Sequence, residues 1–210
     1  MNPSKKFENL INSSRADFME AVGASNWVGR ELTREEADLI IRGFDAGLLS
    51  FDGENGKFNL VGFAPNSKGE TKSYELFSYW KTNAYWVWQE LFIQIGFATE
   101  LALDWNWPPK LIAFESCGFD IVAFRDERPA LMVEAKVAAK DLDEQMRVFL
   151  NGAVDGSSTD INRYADLQNF QPEMYAGVAL GTRRYFRLTV KQDSQLEFSA
   201  KESPLLYHRD

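Results

Sequence analysis

Two neighbouring apolar runs, separated by a short charged turn, constrain the fold of this chain most. The runs cover residues 118–124 (GFDIVAF) and 130–137 (ALMVEAKV), and the turn between them is RDERP at 125–129. Apolar runs of this length that flank a turn predict two antiparallel strands. The sequence therefore predicts a β-hairpin centred on Glu127, with its strands inside a larger sheet.

The pairing of the two strands decides which side chains meet. This hairpin places Phe124 opposite Ala130 and Asp120 opposite Glu134. Because side chains alternate along a strand with a period of two, Lys136 lies on the same face as Glu134. A shift of one residue would separate the two acids, so the prediction depends on the register.

Two carboxylates and one ammonium group in a single patch of a sheet require a physical reason. Like charges directly opposite each other are destabilising, and burial of an uncompensated carboxylate is costly. A divalent cation would relieve both, and oxygen ligands suit Mg²⁺ or Mn²⁺. Such a metal can activate water and neutralise charge on a phosphoryl oxygen, which Lys136 could assist. The alternative is a solvated end of the sheet with a simple Glu–Lys ion pair.

The pattern of Asp120, thirteen residues, and Glu134-Ala135-Lys136 resembles the PD-(D/E)xK, or restriction-endonuclease-like, nuclease superfamily. The resemblance covers residues 74–190. It implies that the side chains of Asp120 and Glu134 and the backbone carbonyl of Ala135 bind Mg²⁺ or Mn²⁺. It also implies a catalytic role for Lys136.

Three further positions bear on this resemblance. Phe119 stands where the name-giving Pro would be. Families in this group often carry a Glu on the helix before the sheet, and Glu90 fits that position as a further metal-binding, catalytic residue. Gln145 begins a Q-x-x-x-Y-like pattern, in which Phe149 replaces Tyr, and is expected in the site. The alternatives are a Glu90 that reaches solvent or pairs with Lys81, and a Gln145 that lies on a helix surface.

The fold implied by the resemblance is α/β. It has a restriction-endonuclease-like core of a helix, a mixed central sheet of about four to six strands and a further helix. The loop at residues 65–69 predicts a boundary, with an N-terminal cap of helices and a hairpin at 1–68 and the nuclease-like domain at 69–210. The cap also fits a piece of a winged helix, which would make residues 1–63 a DNA reader.

Apolar periodicity and capping signals predict the individual elements. Thr33 and Glu36 form a capping box that begins one of the helices, and Gly96 ends another. The predicted helices are 16–23, 33–47, 70–95, 141–150 and 160–167. The predicted strands are 48–51, 58–63, 97–103, 111–114, 119–124, 130–137, 175–180, 185–190 and 196–198.

The composition excludes several classes of site. The chain has one His, His208, and one Cys, Cys117. Disulfides within the chain, thiolate clusters, multi-His metal sites and Ser-His-Asp triads are therefore not expected. The N-terminus is too polar for a signal peptide. The most apolar stretch, 84–99, is shorter than the roughly 20 residues of a membrane span, so we expect a cytoplasmic protein without a membrane partner.

The distribution of charge along the chain indicates how the protein could bind nucleic acid. A net charge of −8 argues against non-specific coating of nucleic acid. The segment 183–191 (RRYFRLTVK) nevertheless carries four positive charges and no acid. Its Arg183, Arg184 and Arg187, together with Lys140, are candidates for contacts with a phosphate backbone. The alternative is a basic edge strand that discourages aggregation.

The sequence as a whole favours a metal-dependent nuclease that acts on DNA, or less favourably on RNA, with a homodimer as one expected form. The alternative is a catalytically inactive nuclease-fold module that binds or assembles partners in a defence or mobile-element system. The acidic net charge and the small basic segment motivate this alternative.

Overall fold

The computed structural model describes residues 3–28, 34–86, 89–191 and 195–208. Within these residues the chain has a mixed α/β fold with five helices and sheets of three, six and three strands. The helices are α1 (Pro3–Val22), α2 (Arg34–Asp45), α3 (Gln89–Asp104), α4 (Ala139–Leu150) and α5 (Ser158–Phe170). The strands are β1 (Asn26–Val28), β2 (Leu49–Asp52), β3 (Lys57–Leu60), β4 (Ser73–Glu75), β5 (Phe77–Trp80), β6 (Asn83–Trp86), β7 (Ile112–Ser116), β8 (Phe119–Arg125), β9 (Arg128–Ala135), β10 (Met174–Ala179), β11 (Thr182–Val190) and β12 (Leu196–Lys201).

The central sheet has six strands in the order β12-β11-β10-β9-β8-β7. β9 and β10 pair in parallel, and every other neighbouring pair is antiparallel. Parallel neighbours need a crossover connection, which α4 and α5 supply. The sheet is therefore mixed, as the sequence predicts.

Helices cover both faces of this sheet. Alternate side chains of the strands enter two separate hydrophobic clusters. Ile121 and Val133 belong to the cluster that contains α3, whereas Val122 and Met132 pack with α4 and α5. Glu134 lies two residues beyond Met132 along β9, so the alternation places it on the side of α4 and α5.

The N-terminal elements pack on α3. The buried cluster extends without interruption from Phe7 in α1 and Ile40 in α2 to Ile95 in α3. Gly96, predicted to end a helix, lies in the middle of α3, where a Cβ would come within 2.9 Å of the Leu39 side chain. The glycine thus permits close packing of two helices. The predicted boundary near residues 65–69 falls in a loop, and the winged-helix interpretation stays a prediction.

The predicted helix over residues 70–95 is wrong. Residues 73–86 form β4, β5 and β6, and α3 begins only at Gln89. This segment is rich in Tyr, Trp and Phe, which favour strands, and Lys81 has a φ of 59° in the turn between β5 and β6. The strand predicted at 97–103 is likewise wrong, because these residues continue α3. Residues 91–99 are all buried, and a fully buried run has no periodicity that distinguishes helix from strand.

The other predicted elements are confirmed, with small shifts of their ends. The helix predicted at 16–23 is the last part of the longer α1, and α2 covers most of 33–47. The predicted capping box cannot be compared, since Thr33 and the Glu36 side chain lie outside the described residues. No described helix is both long and apolar enough to cross a membrane.

A substitution of Gly56 by Ala is expected to destabilise the N-terminal hairpin. Gly56 has a φ of 62°, and a Cβ there would lie 2.8 Å from the Phe77 ring and 2.9 Å from the Phe18 ring. Left-handed backbone and overpacking together predict a loss of about 2–4 kcal/mol in the free energy of unfolding, measured with urea. Gly69, with a φ of 78° and no atom within 4 Å of its Cβ position, is the matched control. Equal losses in both variants would contradict the packing argument.

Candidate functional site

The β8–β9 hairpin carries the two acids of the sequence motif. Val122 pairs with Met132, which confirms the predicted register in the middle of the hairpin. Nearer the turn, Phe124 pairs with Pro129, so the predicted pairing with Ala130 is wrong.

The turn itself explains the local shift. Asp126 and Glu127 have φ values of 50° and 62°. Positive φ at both central residues is typical of a tight two-residue turn, whose twist matches that of the flanking strands. The strands therefore begin to pair at Arg125 and Arg128, and a bulge next to Phe124 restores the predicted register further along.

Asp120 lies near the start of β8 and contacts the end of β9. Its Oδ2 atom accepts a hydrogen bond from the backbone N–H of Ala135 at 2.6 Å. Burial raises the pKa of Asp120, and the hydrogen bond from Ala135 partly opposes that rise. This contact holds the Asp120 carboxyl beside the backbone that follows Glu134.

Glu134 is the most unusual residue of the sheet, because its ionisable side chain is completely buried. Lys136 donates a hydrogen bond to its Oε1 atom. The Nε atom of Arg163 lies 2.8 Å from Oε2, but the two are not aligned as a hydrogen bond. Burial, reinforced by the charge of Asp120, raises the pKa of Glu134 to about 8. Two cations thus face a carboxyl group that resists ionisation.

Glu90 lies in the first turn of α3 and is half-buried. Burial raises its pKa, and the next largest cause is the Asp120 carboxylate, followed by opposing effects of Lys136 and Arg163. Glu90 therefore lies on a helix that precedes the central sheet, as predicted. This helix begins at Gln89 and not near residue 70. The structure brings Glu90 into the same electrostatic cluster as Asp120, Lys136 and Arg163.

Gln145 is buried on α4 and held at both ends of its amide. Its Nε2 atom donates to Asp160 Oδ1 at 3.1 Å, and its Oε1 atom accepts from the Tyr175 hydroxyl at 2.7 Å. Tyr175 is fully buried, and burial raises its pKa well above the ordinary value, so it stays a neutral donor. The Gln145 amide is therefore fixed in one orientation.

A cavity of about 300 Å³ lies between the end of β9, α4 and α5. Its lining includes Lys136, Gln145 and Arg163, together with the hydroxyl groups of Ser157 and Thr159. The two cations that contact Glu134 thus also line an open space that a small polar ligand can enter.

The other predicted nucleic-acid contacts lie outside this cavity. Lys140 is exposed in the first turn of α4, and Arg187 is exposed on β11. Arg184 lies 3.6 Å from Asp143 on α4. Their roles in binding nucleic acid stay predictions.

Arg183 is engaged within the protein. Its Nη2 atom lies 3.0 Å from Glu100 Oε2, and its Nη1 donates to the carbonyls of Ala179 and Thr182. The guanidinium also lies over the Phe97 ring at 5.5 Å. These contacts join β11 to α3 and leave little of the group for a phosphate.

Arg183→Gln is therefore expected to lower the free energy of unfolding by about 1–3 kcal/mol, because Glu100 loses its charged partner in a mostly buried place. Arg187→Gln removes the same charge from an exposed position of the same strand and is expected to change stability little. Urea denaturation of both variants measures the difference. Equal midpoints would contradict the structural role of Arg183.

Sequence reasoning missed two residues of this region, Arg163 and Tyr74. The Tyr74 hydroxyl is buried and has no hydrogen-bond partner in the part of the chain that the structure describes. Burial raises its pKa, and the carboxylates of Glu115 and Asp120 add to the rise. Both residues reach the cluster through tertiary packing, from α5 and β4, and no local pattern in the sequence marks them.

Within the described residues, no three His, Cys, Asp or Glu side chains are gathered closely enough to form a ready-made metal site. Comparisons of the chain with models of known families, with curated proteins and with solved structures found no match.

Proposed function

We propose that this protein is a metal-dependent nuclease that hydrolyses phosphodiester bonds in DNA or RNA, with DNA the favoured substrate. The observation that carries the proposal is the completely buried Glu134, with Asp120 beside it and Lys136 bonded to it. Buried acids with strongly perturbed pKa values cluster at functional sites. A mixed sheet covered by helices on both faces, with the acids on adjacent strands, supports membership of the PD-(D/E)xK superfamily.

The residues of the cluster fit a divalent cation. Glu134 Oε2 is buried and has no hydrogen bond from any residue that the structure describes, and the neighbouring Asp120 carboxylate opposes its ionisation. A hard cation would give this oxygen atom a partner and would offset the repulsion between the two carboxylates. Carboxylate and carbonyl oxygens are the ligands that Mg²⁺ and Mn²⁺ prefer. Asp120, Glu134 and the Ala135 carbonyl would hold it, with Glu90 as an outer ligand. When bound, the metal would lower the pKa of a coordinated water and neutralise charge on a phosphoryl oxygen.

The remaining residues have separate roles in this proposal. Lys136, about one-quarter exposed, presents its ammonium group to both Glu134 and the cavity. It can hold the attacking water or stabilise negative charge on the phosphate. Gln145 is held by hydrogen bonds with Tyr175 and Asp160, and it fixes the Asp160 carboxylate in the wall of the cavity. Lys140, Arg184 and Arg187 would contact the phosphate backbone further away.

Incubation of the purified protein with single- and double-stranded DNA and RNA tests the proposal. We expect cleavage with Mg²⁺ or Mn²⁺ and none with EDTA, and DNA to be cut faster than RNA. The absence of cleavage of every substrate in both metals would contradict the proposal. Light scattering of the same preparation tests the expected homodimer.

A second candidate function is a non-catalytic module of the same fold that binds or assembles partners. Lys136 and Arg163 already accompany both oxygen atoms of Glu134, and the described residues contain no ready-made metal site. These observations favour a permanent ion cluster. Calorimetry that detects no binding of Mg²⁺ or Mn²⁺, together with a stable partner in pull-down experiments, would favour this second function over the nuclease.

A further inference from the structure

Arg163 occupies an unusual position for a buried arginine. Its side chain is 18% exposed and its Nε lies 2.8 Å from Glu134 Oε2. Neither atom of this contact has a hydrogen-bond partner among the described residues. Arginine usually binds a carboxylate through two aligned N–H groups, and such paired hydrogen bonds are the strong ones. The Arg163–Glu134 contact is therefore a charge contact that can be exchanged for a better one.

The same guanidinium lines the cavity next to Lys136. Three acids also line this cavity, and two of them have partners among the neighbouring side chains. Glu144 pairs with Arg147 at 2.7 Å, and Asp160 accepts hydrogen bonds from Gln145 and Ser157. Asp141, the third, is exposed. Lys136 and Arg163, which both contact Glu134, are the two cations that line the cavity and that an entering anion would meet.

We propose that Arg163 is a phosphate-binding residue that exchanges partners. It lies against Glu134 in the metal-free protein and turns to the substrate phosphate in the adjoining cavity once a divalent cation has taken its place. This inference rests on the proposed nuclease function. A cation at Glu134 repels the guanidinium, whereas a phosphate offers two acceptor oxygens to the planar fork of N–H groups on arginine.

The exchange predicts opposite effects of one substitution on two ligands. Arg163→Gln removes a competitor for Glu134, so Mg²⁺ should bind more tightly, by about tenfold for each 1.4 kcal/mol of competition removed. The same substitution removes a ligand of the phosphate, so a nucleotide should bind more weakly. A variant that failed to fold could not bind Mg²⁺ more tightly, so the first measurement also reports on folding.

Calorimetry on the full chain tests the inference. The probes are Mg²⁺ alone, and thymidine and uridine 5′-monophosphate, which contain no phosphodiester bond to cut. In the wild type we expect Mg²⁺ to increase nucleotide affinity. In Arg163→Gln we expect tighter Mg²⁺ binding and nucleotide binding weakened about tenfold in the presence of Mg²⁺. Arg163→Lys should restore part of the nucleotide affinity, because it restores the charge without the planar geometry.

Arg128→Gln is the matched control. Arg128 is exposed at the turn of the β8–β9 hairpin, at the end of β9 opposite to Glu134. Its affinities for both probes should equal those of the wild type. Unchanged nucleotide binding or unchanged Mg²⁺ binding in Arg163→Gln would overturn the exchange and leave the nuclease proposal standing. A wild type that binds no Mg²⁺ would instead overturn the nuclease proposal and the exchange together.

Discussion

Glu134→Gln is expected to reduce metal-dependent cleavage by on the order of a thousandfold or more, while the protein remains folded. The amide keeps the volume and one acceptor oxygen of the carboxyl group but carries no charge to hold a divalent cation. Lys136→Ala should cause a comparable loss, because it removes the ammonium group that faces both Glu134 and the cavity. Initial cleavage rates at saturating metal measure both effects.

Two matched controls separate site chemistry from general charge effects. Glu127→Gln changes an exposed acid at the turn of the same hairpin, and Lys110→Ala changes an exposed lysine before β7. Both should retain the wild-type rate. If Glu134→Gln or Lys136→Ala cut as well as the wild type, the assignment of the catalytic cluster would be wrong.

The stability of the metal-free protein is expected to fall as the pH rises from about 5 to above 8. The pKa of Glu134 is raised from 4.5 to about 8 in the folded protein by burial and by Asp120. Between these values the folded chain holds a proton that the unfolded chain has lost, so stability is greatest below the unfolded pKa and is lost through the folded pKa. Burial raises the pKa values of Asp120 and Glu90 in the same direction. At about 1.4 kcal/mol per pKa unit, the loss amounts to a few kcal/mol.

Glu134→Gln should remove most of this dependence and make the protein more stable than the wild type at pH 8.5 in EDTA. The charges of Lys136 and Arg163 also act on Asp120 and Glu90, so both cations keep acidic neighbours in this variant. Urea denaturation at several pH values measures the effect, with Glu127→Gln as the control that should follow the wild type. A wild-type stability that does not change between pH 5 and 8.5 would contradict the raised pKa.

A substitution that lowers activity and raises metal-free stability would also distinguish a functional acid from a structural one. A buried residue kept for packing or for an ion pair is expected to cost stability when it is changed. The opposite sign is expected where a carboxylate is held in an unfavourable place for the sake of a ligand. Glu134 meets that description, since its burial is complete and its ionisation is opposed.

The sequence predicts the hairpin well because its information is local. The apolar runs around Asp120 and Glu134 and the charged turn between them determine the register of Ile121 to Ala123. The bulge near Phe124 was missed, and the observed pairs end at Ile121 and Val133, before the predicted pair of Asp120 and Glu134. The helix predicted at 70–95 failed for the opposite reason. There the aromatic residues of β4 to β6 mimic a helical stripe, and the fully buried residues 91–99 of α3 have no polar face to set a period.

The candidate site likewise combines residues that a local sequence pattern predicts with residues that only tertiary packing brings together. Lys136 is two residues from Glu134, so the period of a strand is enough to bring them together. Arg163 lies on α5 and contacts Glu134 only because this helix packs beside β9. Arg183 shows the reverse case, in which a basic strand that suggests nucleic-acid binding has one of its cations bound by Glu100 on α3.

The most direct measurement of the central claim is a crystal structure of the protein soaked in Mn²⁺. The account predicts anomalous density between the carboxyl groups of Asp120 and Glu134, with the Arg163 guanidinium moved away from Glu134. Density absent from that place at a saturating Mn²⁺ concentration, with Lys136 and Arg163 still against Glu134, would contradict it.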